Sequence, residues 1–268
     1  MPDDVLELAR VTKRYRRGGP TVLDEVSLRL RRGELAELRG HNGSGKSTLL
    51  RVACGFSQPS GGRVVRSSAG FGFVPDRVAP PGRMTGRSYL THLGSMAGME
   101  RHQIAVAAES VTARLGLDPG LDAPLGTLSR GNLRKVLLTQ CLIRPVHLMV
   151  LDEPFIALDA DASDALTELI LERADAGVTF LIATHGSGLP GVRWVLSQGR
   201  LLLDDDPEEA SDEGFLVDLD VPASSRAGEP LPGGGVRYRL PADELETFLV
   251  RAIADGAHVR RVQPEPRR

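Results

Sequence analysis

Lysine is almost absent from this chain. Its 268 residues include three lysines, Lys13, Lys46 and Lys135, against 30 arginines. Arginine presents a planar fork of donors, whereas lysine presents a compact charge on a flexible stem. A position that keeps lysine in so arginine-rich a chain is therefore a candidate for a site with room only for an ammonium group.

Cysteine, long apolar runs and excess charge are also scarce, and each scarcity excludes a class of protein. The two cysteines, Cys54 and Cys141, lie in apolar helical stretches, which indicates reduced thiols in a cytosolic protein. Apolar runs such as 148–151 and 180–183 are far too short to span a bilayer. A formal net charge of −2 argues against a chain that grips nucleic acid through bulk basicity.

The first four residues, Met-Pro-Asp-Asp, carry acids where a secretory signal carries basic residues. We therefore expect a cytosolic protein. If it acts at a membrane, another chain must anchor it there.

Apolar periodicity predicts an α/β fold. Continuous apolar strands over 147–151 and 178–184 flank an acidic amphipathic helix over 159–176, which indicates a mostly parallel sheet covered on both faces. Alternating apolar residues over 6–11 and 22–30 predict antiparallel strands near the N-terminus. The expected architecture is therefore mixed, with a buried parallel core.

Composition changes after Leu203. Residues 204–213 contain seven acids in ten positions, which is typical of a solvated connector. We predict a main domain over 1–205, an acidic connector over 206–213 and a small α+β appendage over 214–268. The appendage is expected to be β-β-α-β, with strands over 215–221, 236–240 and 258–262 and a helix over 242–254.

Two charged residues interrupt the otherwise apolar strand that we predict over residues 35–39. Glu37 and Arg39 lie two positions apart and so share one face of that strand. Either they pair with each other or they pair with charges on a neighbouring element.

A phosphate-binding loop follows that strand. Residues 40–47 fit the pattern G-x-x-x-x-G-K-[ST] between a strand and a helix. Glycines let main-chain N–H groups surround phosphate oxygens, while Lys46 reaches the β and γ phosphates and Ser47 gives a hydroxyl to Mg²⁺. The sequence therefore predicts that the chain binds a nucleoside triphosphate through Gly40, His41, Asn42, Gly43, Ser44, Gly45, Lys46, Ser47 and the following Thr48.

Further motifs follow this loop in a recognisable order. Residues 128–132 read Leu-Ser-Arg-Gly-Asn, 148–153 end in Asp152-Glu153, 157–159 read Ala-Leu-Asp, and His185 follows a buried strand. With Tyr15 placed 25 residues before the loop, this set resembles the ATP-binding subunit of an ABC (ATP-binding cassette) transporter over residues 4–205. The resemblance implies a P-loop NTPase cassette with an N-terminal antiparallel subdomain, a helical signature subdomain and ATPase activity.

Chemistry and resemblance agree on the roles of the strand-end residues. Asp152 and Glu153 lie at the carboxyl edge of a buried strand, where open α/β sheets bind ligands. Asp152 can hold Mg²⁺ and Glu153 can polarise the attacking water. The resemblance assigns His185 to the γ-phosphate and Tyr15 to adenine stacking, although a tyrosine in a basic turn can also be only a surface aromatic.

Residues 128–132, hereafter the signature segment, imply a dimer. In the family this segment caps the γ-phosphate of the opposite subunit, so the active unit is a head-to-tail pair with two ATP molecules at its interface. Ser129 and Gly131 match the family pattern and are expected to act before a helix starting near Leu133. Arg130 and Asn132 depart from it, and Asp159 belongs to the segment that the family calls the D-loop.

Asp76 departs from the family in another way. The family has a glutamine after the corresponding strand, which contacts Mg²⁺ and the attacking water and signals to the membrane subunit. Asp76 stands in its place, and a unit charge about 4 Å away is worth roughly 4 kcal/mol at an effective dielectric near 20. The carboxylate would help to hold Mg²⁺ if it lies nearer the metal, and would impede nucleotide binding if it lies nearer the γ-phosphate. We expect turnover that persists but is slow without a partner.

The segment from Asp76 to Met99 is then expected to face the membrane subunit. Its Pro80-Pro81-Gly82 turn and the side chains of Tyr89, Leu93 and Met96, expected to be exposed, could receive a short helix of the partner in a groove. The alternative is that these three side chains belong to the core of the helical subdomain.

The resulting hypothesis is an ATPase cassette that works as a head-to-tail dimer and powers transport, expected to be export, through a separately encoded polytopic membrane (permease) subunit. ATP and Mg²⁺ are its expected ligands, its partners are that permease and a second cassette, and nucleic acid is not expected. Its expected place is the inner face of the cell membrane. The alternatives are a soluble ATPase of the same family, or a nucleotide-dependent regulator.

Overall fold

The computed structural model describes residues 4–16, 18–67, 70–77, 82–186, 188–204, 215–220, 229–231, 235–240, 245–254 and 256–264. The chain divides into two compact units, Met1–Asp205 and Asp206–Arg268. Within the described ranges, no helix is both long enough and apolar enough to cross a membrane.

The first unit alternates strands and helices along most of its length. Its elements in chain order are β1 (Asp4–Arg14), β2 (Thr21–Arg31), β3 (Leu35–Arg39), α1 (Lys46–Cys54), β4 (Gly61–Arg66), β5 (Phe71–Val74), α2 (Gly86–Met96), α3 (Arg101–Arg114), a 3₁₀ turn (Leu125–Thr127), α4 (Arg130–Leu142), β6 (Leu148–Asp152), α5 (Ala160–Asp175), β7 (Thr179–Ala183), β8 (Val192–Ser197) and β9 (Arg200–Leu203).

A six-stranded sheet forms the centre of this unit, in the order β5-β6-β7-β3-β8-β9. All its pairs are parallel except β8–β9. Along β6, Leu148 and Val150 pack in a cluster with α1, whereas Met149 and Leu151 pack in a cluster with α4 and α5. The predicted parallel sheet with both faces covered is therefore confirmed.

A separate antiparallel sheet has the order β2-β1-β4. The alternation in the sequence predicted β1 and β2, but β4, β8 and β9 were not predicted. β4 reads Gly-Gly-Arg-Val-Val-Arg within a stretch rich in Ser, Gly and Pro, so its two valines give no clear alternation. Pairing with β1, rather than local propensity, makes it a strand.

The charged pair in β3 is resolved by its geometry. Arg39 Nη2 lies 2.8 Å and Nε 3.0 Å from Glu37 Oε2. Glu37 is fully buried, and a buried charge requires such a partner. Of the two alternatives left open by the sequence, pairing with each other is present.

The start of helix α4 differs from the prediction. Helix α4 begins at Arg130, not near Leu133, because Ser129 is its N-cap and the Ser129 hydroxyl accepts a hydrogen bond from the Asn132 N–H at 3.2 Å. The end of the signature segment is therefore the first turn of the helix rather than a loop before it.

The second unit contains β10 (Phe215–Asp220), β11 (Glu229–Pro230), β12 (Val236–Leu240), α6 (Leu245–Ala254) and β13 (His258–Pro264). Its antiparallel sheet has the order β11-β12-β10-β13, and Val217, Leu219 and Leu240 form a core on which α6 packs. The two-residue strand β11 adds to the expected β-β-α-β order. The predicted acidic connector over 206–213 lies outside the described residues.

Candidate functional site

The phosphate loop, residues 40–47, has backbone conformations at Gly40 and Gly45 that favour glycine. Gly40 has φ +145°, and a Cβ there would lie 2.4 Å from the Leu196 carbonyl oxygen. Gly45 has φ +108° and is the N-cap of α1 without a side-chain cap hydrogen bond. Because the first N–H groups of a helix have no intrahelical acceptor, the loop presents main-chain donors at the start of α1.

A cleft of about 240 Å³ lies over this loop. It brings together the loop, Val22, the adjacent acids Asp152 and Glu153, and Asp76, which is far from both in sequence. Its lining residues are Val22, His41, Asn42, Gly43, Gly45, Lys46, Ser47, Thr48, Asp76, Asp152 and Glu153. Residues predicted from three separate motifs thus share one surface.

Lys46 and Ser44 both point to an anionic ligand. Lys46 is 7% exposed, donates to the Gly40 carbonyl at 2.5 Å and has its Nζ 3.6 Å from Glu153 Oε1. The buried hydroxyl of Ser44 has no hydrogen-bond partner among the described residues. A buried donor without a partner is costly, so a phosphate oxygen fits this loop at Ser44, which lies beside the lining residues of the cleft and is not itself one of them.

Ser47 and Asp152 provide hard oxygen ligands at the floor of the cleft. Burial raises the pKa of Asp152, while a hydrogen bond from Ser47 acts in the opposite direction. Across the described residues, no group of three or more His, Cys, Asp and Glu side chains is arranged to hold a metal ion. Mg²⁺ typically uses one or two carboxylates together with phosphate oxygens, so this donor pair fits Mg²⁺ bound with a nucleotide.

Glu153 turns away from β6 into the cleft. Its φ of +51° is rare for a residue with a side chain, and its N–H donates to the Ala183 carbonyl at 2.8 Å. Burial raises the pKa of Glu153 to about 6, with Asp152 and Asp76 adding to the shift and Lys46 opposing it. A carboxylate with such a pKa is suited to accept a proton near neutral pH.

His185 reaches this carboxylate from the end of β7. Its Nε2 lies 3.2 Å from Glu153 Oε1. Burial, followed by the nearby charge of Lys46, lowers the pKa of His185. The lowered pKa favours the neutral ring, which can donate one N–H to an oxygen.

Tyr15 contacts Thr48 in the first turn of α1, next to the cleft but not among its lining residues. Its hydroxyl is 3.1 Å from Thr48 Oγ1, and its side chain is 58% exposed. Lys13 Nζ lies 5.1 Å from the centre of the Tyr15 ring, within cation–π range. The exposed ring next to the loop keeps adenine stacking as a prediction.

Asp76 lies in the cleft beside the other two carboxylates. Its side chain is 41% exposed, and its Oδ2 is 3.5 Å from Arg77 Nε. Its charge contributes to the raised pKa values of Asp152 and Glu153. The substitution of a neutral amide by a carboxylate, noted in the sequence, thus acts on both strand-end acids.

The signature segment is not brought to the cleft of its own chain. Ser129 and Gly131 are absent from the cleft lining. A Cβ at Gly131 would lie 2.6 Å from the Ala157 carbonyl oxygen, so glycine here allows close contact with the D-loop, residues 157–159. Asp159 Oδ1 accepts from the Ala162 N–H at 2.8 Å and caps α5.

Sequence reasoning missed the roles of Arg134 and Lys135. Lys135 donates to the Gly116 carbonyl at 3.0 Å and to Asp159 Oδ2 at 3.1 Å. The scarcity of lysine singled out Lys135 without naming its partners. Arg134 donates to main-chain carbonyls at the ends of β5 and β6, and nothing distinguished it among 30 arginines.

The predicted docking side chains of α2 do not form one surface. Tyr89 packs against two core clusters, and burial raises its pKa. Leu93 is half-buried, and Met96 is 74% exposed. The expectation of three exposed side chains is wrong for Tyr89, because α2 turns this face towards α3 and α4; Pro80 and Pro81 lie outside the described residues.

Comparison with known proteins identifies the same architecture. A family model described as ABC transporter matches residues 23–156. The chain is 32% identical to the zinc import ATP-binding protein ZnuC of Pseudomonas putida over 264 residues, covering 97% of each chain. It is 33% identical to the spermidine/putrescine import ATP-binding protein PotA of Pseudomonas aeruginosa over 224 residues, covering 78% of this chain and 61% of that protein.

Solved structures share the fold. An ATP binding subunit of an ABC transporter superposes with a TM-score of 0.68 at 24% identity, covering 75% of this chain and 91% of the other. A dimeric bacterial ABC transporter cassette gives 0.66 at 21% identity, covering 74% and 96%. With the family match and a relative above 30% identity over nearly the whole length, the chain belongs to the ATP-binding subunits of ABC transporters, a family of ATPases.

Proposed function

We propose that this chain binds and hydrolyses ATP as a head-to-tail dimer and powers transport through a separately encoded polytopic membrane (permease) subunit. It would lie in the cytoplasm, at the inner face of the cell membrane, through that subunit. The observation that carries the proposal is the cleft whose lining brings Lys46 of the phosphate loop together with Asp152 and Glu153.

In this proposal, the phosphate loop and Lys46 bind the β and γ phosphates. Lys46 Nζ lies 3.6 Å from Glu153 Oε1, so a phosphate that attracts the ammonium group leaves Glu153 free to accept a proton. Ser47 and Asp152 would hold Mg²⁺, which neutralises charge on the phosphates during transfer. Glu153 accepts the proton of the attacking water, and His185 donates its N–H towards the γ-phosphate.

In this proposal, the dimer adds the signature segment of one chain to the ATP site of the other. Ser129 and Gly131 do not line their own cleft, and in the family this segment caps the γ-phosphate bound by the opposite subunit. A dimeric cassette of the same fold supports this arrangement. Since ZnuC and PotA are both named import proteins, the export direction expected from the sequence finds no support.

Affinity purification of the tagged full chain from detergent-solubilised membranes tests the proposal. We expect a stoichiometric polytopic membrane protein, identified by mass spectrometry, and ATP hydrolysis by the purified complex. Recovery of ribosomal or DNA-associated proteins instead would remove the transport role and keep the ATPase. Tight ATP binding without hydrolysis in the complex would favour a regulator.

A further inference from the structure

One buried arginine joins the two strand ends that carry the carboxylates of the cleft. Arg134 lies in the second turn of α4 and is 5% exposed. Its Nη1 donates to the Pro75 carbonyl at 2.7 Å, just beyond β5. Its Nη2 donates to the Asp152 and Glu153 carbonyls, both at 2.5 Å, at the end of β6.

Two longer contacts extend the same pattern. Nη1 lies 3.4 Å from the Asp76 carbonyl, and Nε lies 3.4 Å from the Pro154 carbonyl. A planar guanidinium has five N–H donors in a fixed geometry. One side chain thus holds main-chain groups of both strand ends in a defined relative position.

The positive charge of Arg134 also interacts with the three carboxylates of the cleft. Burial lowers its pKa, whereas Asp76, Asp152 and Glu153 act in the opposite direction. A guanidinium remains charged in proteins, so Arg134 is a permanent positive charge near these three acids. Lys46 is the cation of the cleft lining itself.

We propose that Arg134 is a positioning residue, which holds Asp76, Asp152 and Glu153 for hydrolysis and connects them through α4 to the signature segment. This inference rests on the proposed ATPase function. Arg134 does not line the cleft, so it acts on the carboxylates through the backbone rather than on ATP. Movement of α4 on pairing of two cassettes would then be transmitted to the strand ends.

Arg134→Gln in the full chain removes the charge and the fork, and its first readout needs no nucleotide. We expect hydrogen exchange of peptides covering 72–77 and 152–157 to become about tenfold faster, the effect of leaving buried carbonyls unpaired. Exchange of the phosphate loop should not change. Unaltered exchange at both strand ends would overturn the proposal.

The second readout separates positioning from general destabilisation. A small displacement of reacting groups can cost about 10²-fold in rate, so we expect kcat to fall by about that factor with little change in KM for ATP. Arg173→Gln is the matched control, because Arg173 is a half-buried arginine that donates to the Arg144 carbonyl at 2.7 Å, away from the cleft. An equal loss of kcat in this control would contradict the proposal.

Arg134→Lys covers the case in which Arg134→Gln does not fold. It keeps a cation but replaces the planar fork, whose Nη1 and Nη2 reach different strand ends, by a single nitrogen. We therefore expect a folded chain with kcat at least about tenfold lower. A wild-type kcat in Arg134→Lys would overturn the positioning role. If the wild-type complex hydrolyses no ATP, the proposed function fails, while hydrogen exchange still decides whether Arg134 holds the strand ends.

Discussion

The phosphate loop and the signature segment are built from similar parts, but only the phosphate loop lines the cleft of its own chain. We call the phosphate loop and its cleft the open region, and the signature segment with α4 the closed region. Each has serine and glycine residues at the start of a helix, and each helix buries one of the three lysines. Lys46 donates to the Gly40 carbonyl, and Lys135 donates to the Gly116 carbonyl. Each lysine also lies near one carboxylate.

The difference lies in which donors are already used. At α1 the cap is Gly45, which has no side chain, and the Ser44 hydroxyl has no partner among the described residues. At α4 the Ser129 hydroxyl caps its own helix, and the Asn132 side-chain amide donates to the Asp118 carbonyl. Within one chain, the start of α1 therefore keeps donors for a ligand, whereas polar groups at the start of α4 are already paired with their own chain.

Glu153→Gln should lower kcat more than any other substitution, because Glu153 is the proposed general base in the open region. A general base contributes typically about 10²–10⁴-fold to a rate, so we expect kcat to fall by about 10³-fold. Glutamine keeps the shape of the side chain, so ATP binding should persist. Steady-state hydrolysis and ATP titration by calorimetry measure the two effects.

Glu172→Gln is the control for this substitution. Glu172 is a surface acid whose Oε2 lies 2.7 Å from Arg114 Nη1, far from the chemistry. Its kcat should equal that of the unmodified chain. Full activity in Glu153→Gln would transfer the role of base to another group.

The two helix lysines should separate ligand binding from stability. Lys46→Ala removes the cation of the cleft, and we expect ATP affinity to fall by about 10²-fold, as for loss of a charged hydrogen bond worth up to ~3 kcal/mol. Lys135→Ala should keep ATP affinity and lower the free energy of unfolding by about 1–3 kcal/mol, because the Gly116 carbonyl loses its donor. Calorimetry and urea unfolding measure both quantities, and reversed results would contradict the comparison.

The open region could be predicted from the sequence because its chemistry is local. Residues 40–47 must be close in space, and Asp152-Glu153 follows a strand whose apolar run places it at the sheet edge. The continuous apolar strands also predicted the parallel core. None of these inferences required a contact between distant residues.

The closed region could not be predicted in the same way, since its interactions are long-range. The contact of Gly131 with the Ala157 carbonyl and the bonds of Arg134 to β5 and β6 depend on how α4 packs. The strand β4 likewise depends on pairing with β1. Tertiary packing decided these features against weak local signals.

Asp76→Gln sharpens the comparison inside the open region. It removes a carboxylate that raises the pKa values of Asp152 and Glu153 and restores the family's neutral amide. We expect kcat of the isolated chain to rise by about tenfold, equivalent to ~1.4 kcal/mol in the barrier. Hydrolysis by purified wild-type and Asp76→Gln chains measures this, and an unchanged rate would sink the hypothesis of restrained turnover.

The pH profile tests the environment of Glu153. An ordinary glutamate stays ionised far below neutral pH, but burial raises the pKa of Glu153 from 4.5 to about 6. Since the base must be ionised, kcat/KM should decline as the pH falls through this value and be about tenfold lower one pH unit below it. Rates measured at saturating Mg²⁺ from pH 5 to pH 8 give the midpoint.

Asp76→Gln is also the control for this profile. Removing a neighbouring negative charge favours ionisation of Glu153, so the midpoint should move to lower pH. The pKa of His185 is instead set by burial and Lys46, and ATP itself titrates equally in both assays. A midpoint identical in both chains would assign the acid limb to a group other than Glu153.

Ser129→Ala should have the smallest effect, and it tests the closed region directly. The substitution removes the oxygen that accepts from the Asn132 N–H, which should lower the free energy of unfolding by about 1 kcal/mol. ATP affinity of the single chain should not change, because Ser129 does not line the cleft, whereas ATP-dependent pairing in a Glu153→Gln background should weaken.

Ser129→Thr keeps the hydroxyl and should behave as the unmodified chain. If Ser129→Ala instead lost ATP affinity as Lys46→Ala does, the two helix ends would form one site within a single chain, and the distinction between an open and a closed helix end would fail.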